Sequence, residues 1–199
     1  MKESEQATTD YPDPVGDDDN ESEPTGQPTG EIPELLKLGG EESLAAYAEA
    51  FQSLILARMP IIDPRGLEIV FDDDACRHVC IREERFDKRR KRHEGEDRSR
   101  EEWDQARAEH IPWIWVALTD PSEIVRNKKV DGNEVYLLGL PRKDPIRPSS
   151  RYYVSVRPIQ GGKRLFKTAY PIRQDEWDDA RRGKPGTKHI LYRRPTPRY

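Results

Sequence analysis

At 199 residues the chain has room for one domain plus extensions, and its apolar residues (34%, against 36% charged) must be concentrated in part of it. No apolar run reaches the length of a helical membrane span, and the acidic start Met1-Lys2-Glu3-Ser4-Glu5 is no secretion signal. Two cysteines, Cys76 and Cys80, cannot build a disulfide framework, so a reduced cytoplasmic protein is expected, and the net charge of −4 hides a strong internal asymmetry.

Residues 1–32 hold ten acids and one lysine, with almost no large apolar side chain. Such a segment cannot bury enough surface to offset its ordering entropy, which predicts a disordered acidic tail. A sharper reading makes it an electrostatic mimic that shields a basic surface in cis. Residues 33–60 form an accessory unit. An apolar lead-in closes at Gly39-Gly40, and a helix follows over 41–59 with Leu44, Tyr47, Phe51, Leu54 and Ile55 at helical spacing, stopped by Pro60. Residues 61–199 form the main domain. Asp63-Pro64-Arg65-Gly66 reads as a turn and 67–71 as a strand. Asp72-Asp73-Asp74 can cap a helix whose face carries Ala75, Cys76, Val79, Cys80 and Phe86. A basic run, 88–93, lies in a charged connector. Ser99-Arg100-Glu101-Glu102 matches a capping box and predicts a helix over 100–110. Beyond Pro112 the side chains Trp113, Trp115, Val116 and Leu118 read as buried, and 120–124 as a turn into one more helical turn.

The last third changes character. Asp131-Gly132 signals a tight turn before a strand over 134–140, and a Pro-rich loop covers 141–150. Strands over 151–157 and 164–171 are joined by a hairpin at Gln160-Gly161-Gly162-Lys163. Trp177 sits in a short helix, 181–188 is a basic loop, and 190–193 is a final strand. The expected fold is α+β, with N-terminal helices packed on a roughly four-stranded antiparallel sheet. From Arg126 to Tyr199 there are 19 Lys/Arg against 7 Asp/Glu, a balance of +12. A small basic sheet of this kind suits a polyanion, with RNA the first candidate.

Several short motifs recur in one order. They are Arg77-His78-Val79, then Ala106-Arg107-Ala108-Glu109-His110-Ile111-Pro112-Trp113-Ile114, then Leu118-Thr119-Asp120-Pro121-Ser122-Glu123-Ile124. Tyr152-Tyr153-Val154-Ser155-Val156 and Thr168-Ala169-Tyr170-Pro171 complete the series. On these motifs the chain from about Leu67 to Arg194 resembles the phage-associated branch of the barnase–EndoU–colicin–RelE nucleases. The resemblance implies a helix-plus-sheet domain that cuts RNA without metal. The ribose 2′-OH attacks the neighbouring phosphate, leaving a cyclic phosphate and a 5′-OH. It also implies a phage-related or toxin-like setting, with a phage head-assembly protein or a cognate immunity or antitoxin protein as partner beside RNA.

That chemistry needs a base, an acid and positive charge on the phosphorane oxygens. His78 matches the family position and is the leading base or acid, with His189 beside the final strand as the second candidate. His110 reads as structural and His93 as solvated. Strand alternation puts Phe166, Thr168 and Tyr170 on one face, and Leu165, Lys167 and Ala169 on the other. Arg151, Tyr153, Ser155 and Arg157 likewise oppose Tyr152, Val154 and Val156, the second set being the core set. The expected catalytic group is His78, Thr168, Tyr170 and Arg157, with Arg151, Lys167, His189 and Arg193 binding RNA. Guanidinium holds phosphate through two donors, which favours Arg157 and Arg193 as clamps. Cys76-Arg77-His78-Val79-Cys80 lacks a second cysteine pair to complete a zinc site, and no P-loop or dinucleotide glycine pattern occurs. No metal and no cofactor are therefore expected. The rival reading is a noncatalytic nucleic-acid-binding or phage-assembly module on the same sheet. A weaker rival is an inhibitor acting through the acidic tail.

Overall fold

The computed structural model describes residues 32–40, 43–84, 100–127, 130, 132–140, 151–182 and 189–195. The acidic tail through Glu31, Phe86, the basic run 88–93, Asp131, the 141–150 loop and residues 183–188 lie outside the described residues.

The centre of the fold is a seven-stranded mixed sheet. Its strands are β1 (Ile61–Ile62), β2 (Glu68–Val70), β5 (Glu123–Arg126), β6 (Glu134–Gly139), β7 (Arg151–Pro158), β8 (Arg164–Pro171) and β9 (Ile190–Arg193). In space they run β1-β2-β8-β7-β6-β5-β9. The run β8-β7-β6 is the antiparallel meander legible in the sequence. Gly161 and Gly162, at φ 76° and 74°, supply the left-handed backbone that turns β7 into β8. Two features correct the four-stranded expectation. Residues 123–126 form a strand rather than a helical turn, and β5 separates β6 from β9. On the opposite edge β2 pairs parallel to β8, Ile69 with Arg164 and Val70 with Leu165. A parallel contact between segments so far apart leaves no local trace in sequence.

Helices cover both faces. On one side lie α1 (Leu44–Leu54), α3 (Gln105–Glu109) and α4 (Ile111–Thr119). Tyr47, Phe51, Trp113, Ile114 and Leu118 pack there against Tyr136, Tyr152, Val154, Val156, Phe166 and Ala169. The Tyr152/Val154/Val156 stripe is the inward set that strand alternation predicts. The accessory helix thus shares the core of the main domain. The lead-in before it is strapped down as well, because Trp113 Nε1 donates to Pro33 O at 2.9 Å and Leu36 N to Glu109 O at 2.9 Å. On the other face α5 (Gln174–Arg181) buries Trp177 against Val125, Val135, Leu137 and Ile172. Gly139 makes that docking possible, since a Cβ there would stand 3.1 Å from Trp177 Cη2.

Three helix boundaries depart from expectation. The first helix ends at Leu54 and a 3₁₀ turn (Leu56–Arg58) carries the chain to Pro60. α2 is only Ala75–Cys80, and the chain leaves it directly into β3 (Ile81–Glu84), which pairs with β4 (Arg100–Trp103) as a separate ribbon. The helix expected from residue 100 therefore starts a turn later. Its cap is Asp104, whose carboxylate accepts from Arg107 N at 3.1 Å. Trp115 and Val116 are half-buried, whereas Trp113 and Leu118 are buried. No helix among the described residues is long and apolar enough to cross a membrane.

Candidate functional site

β2 accompanies β8 only as far as Leu165, and past that point α2 and α3 pack along β8 instead. The same stretch carries a β-bulge. Ser155 pairs with Thr168 and Val156 with Phe166, so Lys167 is the extra residue. A bulge re-aims side chains on either side of it. Phe166 and Ala169 both enter the main core, so Phe166 does not share a face with Thr168 and Tyr170 as simple alternation predicts.

The bulged edge draws distant residues together. Thr168 Oγ1 donates to the carbonyl oxygen of His78 at 3.2 Å, which ties β8 to the middle of α2. His78 itself is half-buried, and its amide donates to Asp74 O at 3.0 Å. Tyr170 stacks on Tyr153 with ring centroids 4.8 Å apart. The guanidinium of Arg107, on α3, lies 4.5 Å from the Tyr170 ring centroid. Asp104 caps α3 and also holds Arg107 Nε at 3.3 Å, so one carboxylate fixes both helix start and guanidinium. Burial pushes the Tyr170 hydroxyl pKa up, with Arg107 opposing and Glu176 reinforcing the shift. Burial raises that of Tyr153 further. Both phenols stay protonated, and so remain donors, across the neutral range.

A cavity of about 100 Å³ opens beside Tyr170, between the sheet and α5. Tyr153, Tyr170, Asn127, Glu176 and Asp179 line it above aliphatic side chains. Asn127 Nδ2 donates to the Tyr153 hydroxyl at 3.1 Å, and Glu176 accepts from the Arg173 amide at 3.0 Å.

The other residues singled out in the sequence stand elsewhere. Arg157 is exposed near the end of β7, two residues past Ser155, roughly 7 Å along the strand. Lys167 Nζ lies 3.5 Å from Asp72 Oδ2. The Arg151 guanidinium sits 5.3 Å from the Trp177 ring centroid. Arg193 donates at 3.0 Å to Glu123, a fully buried carboxylate that Arg181 also holds at 2.8 Å. His189 precedes β9, its carbonyl accepting from Arg126 N at 2.8 Å. β9 is four strand spacings from β8, about 19 Å, so His189 and Arg193 stand apart from Thr168 rather than beside it. His110 is buried, with its ring stacked on Tyr152. Cys76 and Cys80 stand one turn apart on α2. The Cys80 thiol donates to Cys76, lowering the Cys76 pKa, and that bond together with burial raises the pKa of Cys80.

Two features escape sequence reasoning. One is Arg107, whose signal was an Asp three residues upstream in the cap position. The other is a buried charge cluster at the hairpin end of the sheet. Arg65 donates to Asp63 at 2.8 Å and to Glu134 at 2.7 Å, Arg164 holds Glu134 at 3.0 Å, and the Tyr136 hydroxyl donates to Asp63 at 2.6 Å. Burial opposes the charge on both acids. The Tyr136 hydroxyl, the Leu67 amide and Arg65 outweigh it at Asp63, as Arg164 and Arg65 do at Glu134, and both carboxyls titrate below their ordinary range.

Residues 57–193 match the family described as phage-Barnase-EndoU-ColicinE5/D-RelE like nuclease 2. No curated protein and no solved structure matches the chain. The family match spans well over half of the sequence, and the chain belongs to that nuclease family.

Proposed function

We propose that this member of the family is a metal-independent endoribonuclease whose reaction centre is the bulged edge of β8. The observation that carries the reading is the meeting of α2 and β8 through Thr168 and the His78 carbonyl, with the Arg107 guanidinium over the ring of Tyr170, two residues farther along β8. In this reading the His78 imidazole joins two hydroxyls and a guanidinium, drawn from three elements, on one edge. In this scheme His78 accepts the proton of the ribose 2′-OH as the 2′ oxygen bonds to phosphorus. The bond from phosphorus to the 5′ oxygen breaks, and Tyr170 donates to the leaving oxygen. Thr168 bonds a nonbridging oxygen. Arg107 supplies the charge that stabilises the phosphorane, with Arg157 farther along β7 holding the neighbouring phosphate. The products are a cyclic phosphate and a 5′-OH.

A fluorescent RNA cleavage assay in EDTA tests this. Wild type should cleave, and His78→Ala should lose about 10²–10⁴-fold in rate. Tyr170→Phe and Arg107→Ala should each lose about tenfold or more. Absence of cleavage of any RNA by wild type, or its disappearance in EDTA, would overturn the proposal. One observation favours a noncatalytic RNA-binding module: Thr168 already donates to a backbone carbonyl. That module would show salt-sensitive RNA binding and no product.

A further inference from the structure

The sequence holds two cysteines, and both fall on α2, four residues apart with His78 midway between them. Residues at that spacing lie one above the other on a helix, with Cβ atoms about 5–6 Å apart. Cys80 is fully buried, whereas Cys76 is half-buried and keeps a path to solvent. The two sulfurs are close enough for the Cys80 thiol to donate to Cys76, which eases ionisation of the accessible thiol. The ribonuclease scheme uses neither sulfur. α2 itself is short, six residues that pass at Ile81 directly into β3.

We infer that Cys76 and Cys80 are a dithiol switch, closed to a disulfide by peroxide, and that closing it draws the His78 carbonyl off Thr168 and silences the proposed reaction centre. The inference rests on the ribonuclease reading and adds regulation of that same site. The chemistry runs in two steps. The Cys76 thiolate attacks one oxygen of hydrogen peroxide and the O–O bond breaks. Hydroxide leaves and becomes water with the proton that Cys76 gave up, so Cys76 is now a sulfenic acid. Cys80 then attacks the Cys76 sulfur. The S–S bond forms, the S–O bond breaks, and the hydroxyl leaves as water with the Cys80 proton. Two thiols are oxidised, and one peroxide is reduced to two waters. The hydrogen bond to Cys76, burial and the charge on Cys76 hold the Cys80 proton beforehand, and the first and last vanish once Cys76 is oxidised.

The mechanical consequence follows from lengths. Cα atoms four residues apart on a helix are about 6 Å apart, inside the range a disulfide accepts. A disulfide spans only about 3.5–4.5 Å between Cβ atoms, so closure tightens this turn by roughly 1–2 Å. Cys80 is held from outside, its carbonyl accepting from Asp104 N at 2.9 Å, and His78 lies inside the turn that must move. Thr168 reaches the His78 carbonyl at 3.2 Å, near the far end of hydrogen-bond distance, so a displacement of about 1 Å away from β8 breaks the contact. A misplacement of that size can cost a reaction centre about 10²-fold in rate.

The test treats the full chain with hydrogen peroxide and follows peptide mass, RNA cleavage in EDTA, and the amide NMR shifts of His78 and Thr168. Wild type should lose two hydrogens as Cys76 links to Cys80, both amides should shift, and cleavage should fall about tenfold to 10²-fold. Dithiothreitol should reverse all three. Cys76→Ala should keep its cleavage under peroxide, and Cys80→Ala should stop at a sulfenic acid that dimedone traps. Cys80 lies in the core, so Cys76→Ala, at a partly exposed position, carries the comparison if Cys80→Ala fails to fold. Thiols that stay reduced, disulfides that link two chains, inactivation that persists in Cys76→Ala, or a Cys76–Cys80 bond that leaves cleavage unchanged each overturn the switch and leave the ribonuclease reading intact. A reduced chain that cuts no RNA removes the ribonuclease reading; the mass and the NMR shifts then decide by themselves whether the bond forms and moves His78.

Discussion

Glu134 begins β6 with 7% of its surface exposed, between the guanidinium groups of Arg65 and Arg164. Removing a charge from such a cluster leaves its partners buried and uncompensated, which matters more than the attraction lost. Glu134→Gln should therefore cost about 2–4 kcal/mol, somewhat less than a fully dry pair because both arginines keep some exposure, as read from urea midpoints at neutral pH. The same residue sets a pH dependence. Asp63 and Glu134 both have lowered folded pKa values, so the folded chain binds fewer protons than the unfolded one. Their stabilisation is complete above the ordinary carboxylate range and disappears as pH falls from about 4.5 through the depressed values. His110 adds a shift of the same sign at higher pH. Burial lowers its pKa, against the Ala106 carbonyl, Glu109 and Asp104, so stability begins to fall below about pH 6.5. Urea midpoints across pH 8 to 3 should decline in two stages in wild type, and the lower stage should be shallower in Glu134→Gln. A midpoint flat down to pH 4 would contradict the burial of a neutral His110.

At the scale of elements, the docking of α5 depends on Gly139. Trp177 Cη2 lies 3.1 Å from where a Cβ would stand, closer than side chains tolerate without movement. Gly139→Val should displace the Trp177 ring, cost about 1–3 kcal/mol, and change the fluorescence of Trp177 read against a Trp177→Phe background. Why some elements were legible and others not follows from range. β7 declares itself by the alternation of Tyr152, Val154 and Val156, and the hairpin by Gly161-Gly162, because these signals are local. The bulge at Lys167 has no local mark, and with it went the correct facing of Phe166. Ser99-Arg100-Glu101-Glu102 matched a capping box, but Arg100–Trp103 pairs instead with Ile81–Glu84, a choice made by tertiary contact. Asp104 carried an equally good cap signal and won. Among the residues of the proposed site, His78, Thr168 and Tyr170 were visible as residue types on plausible elements. Arg107 was not, since its position over Tyr170 exists only once α3 meets β8.

For the molecule as a whole, the family match begins at residue 57, but the core does not. Tyr47, Phe51 and Ile55 are each at most 2% exposed and pack with the strands and α4. Three such side chains contribute roughly 5–9 kcal/mol in total, comparable to the full stability of an average domain. A chain starting at residue 57 should therefore show no cooperative urea transition by circular dichroism, whereas one starting at residue 32 should keep it. Cooperative unfolding of the shorter chain would show that α1 is dispensable. The charge asymmetry acts at this scale too. On the reading proposed above, the +12 of the last third would attract RNA, and added salt would weaken that attraction in step with the number of phosphates neutralised.

The placement of β2 beside β8 bears on the life of the chain during its synthesis. Ile69 waits for Arg164, and β5 lacks its outer neighbour until Arg193 has been added. Long-range pairings of this kind form late. A nascent chain therefore carries His78 without its tie to Thr168 until 90 more residues have been added. On the ribonuclease reading proposed above, the ribosome, itself built of RNA, would meet no assembled cutting centre before that point.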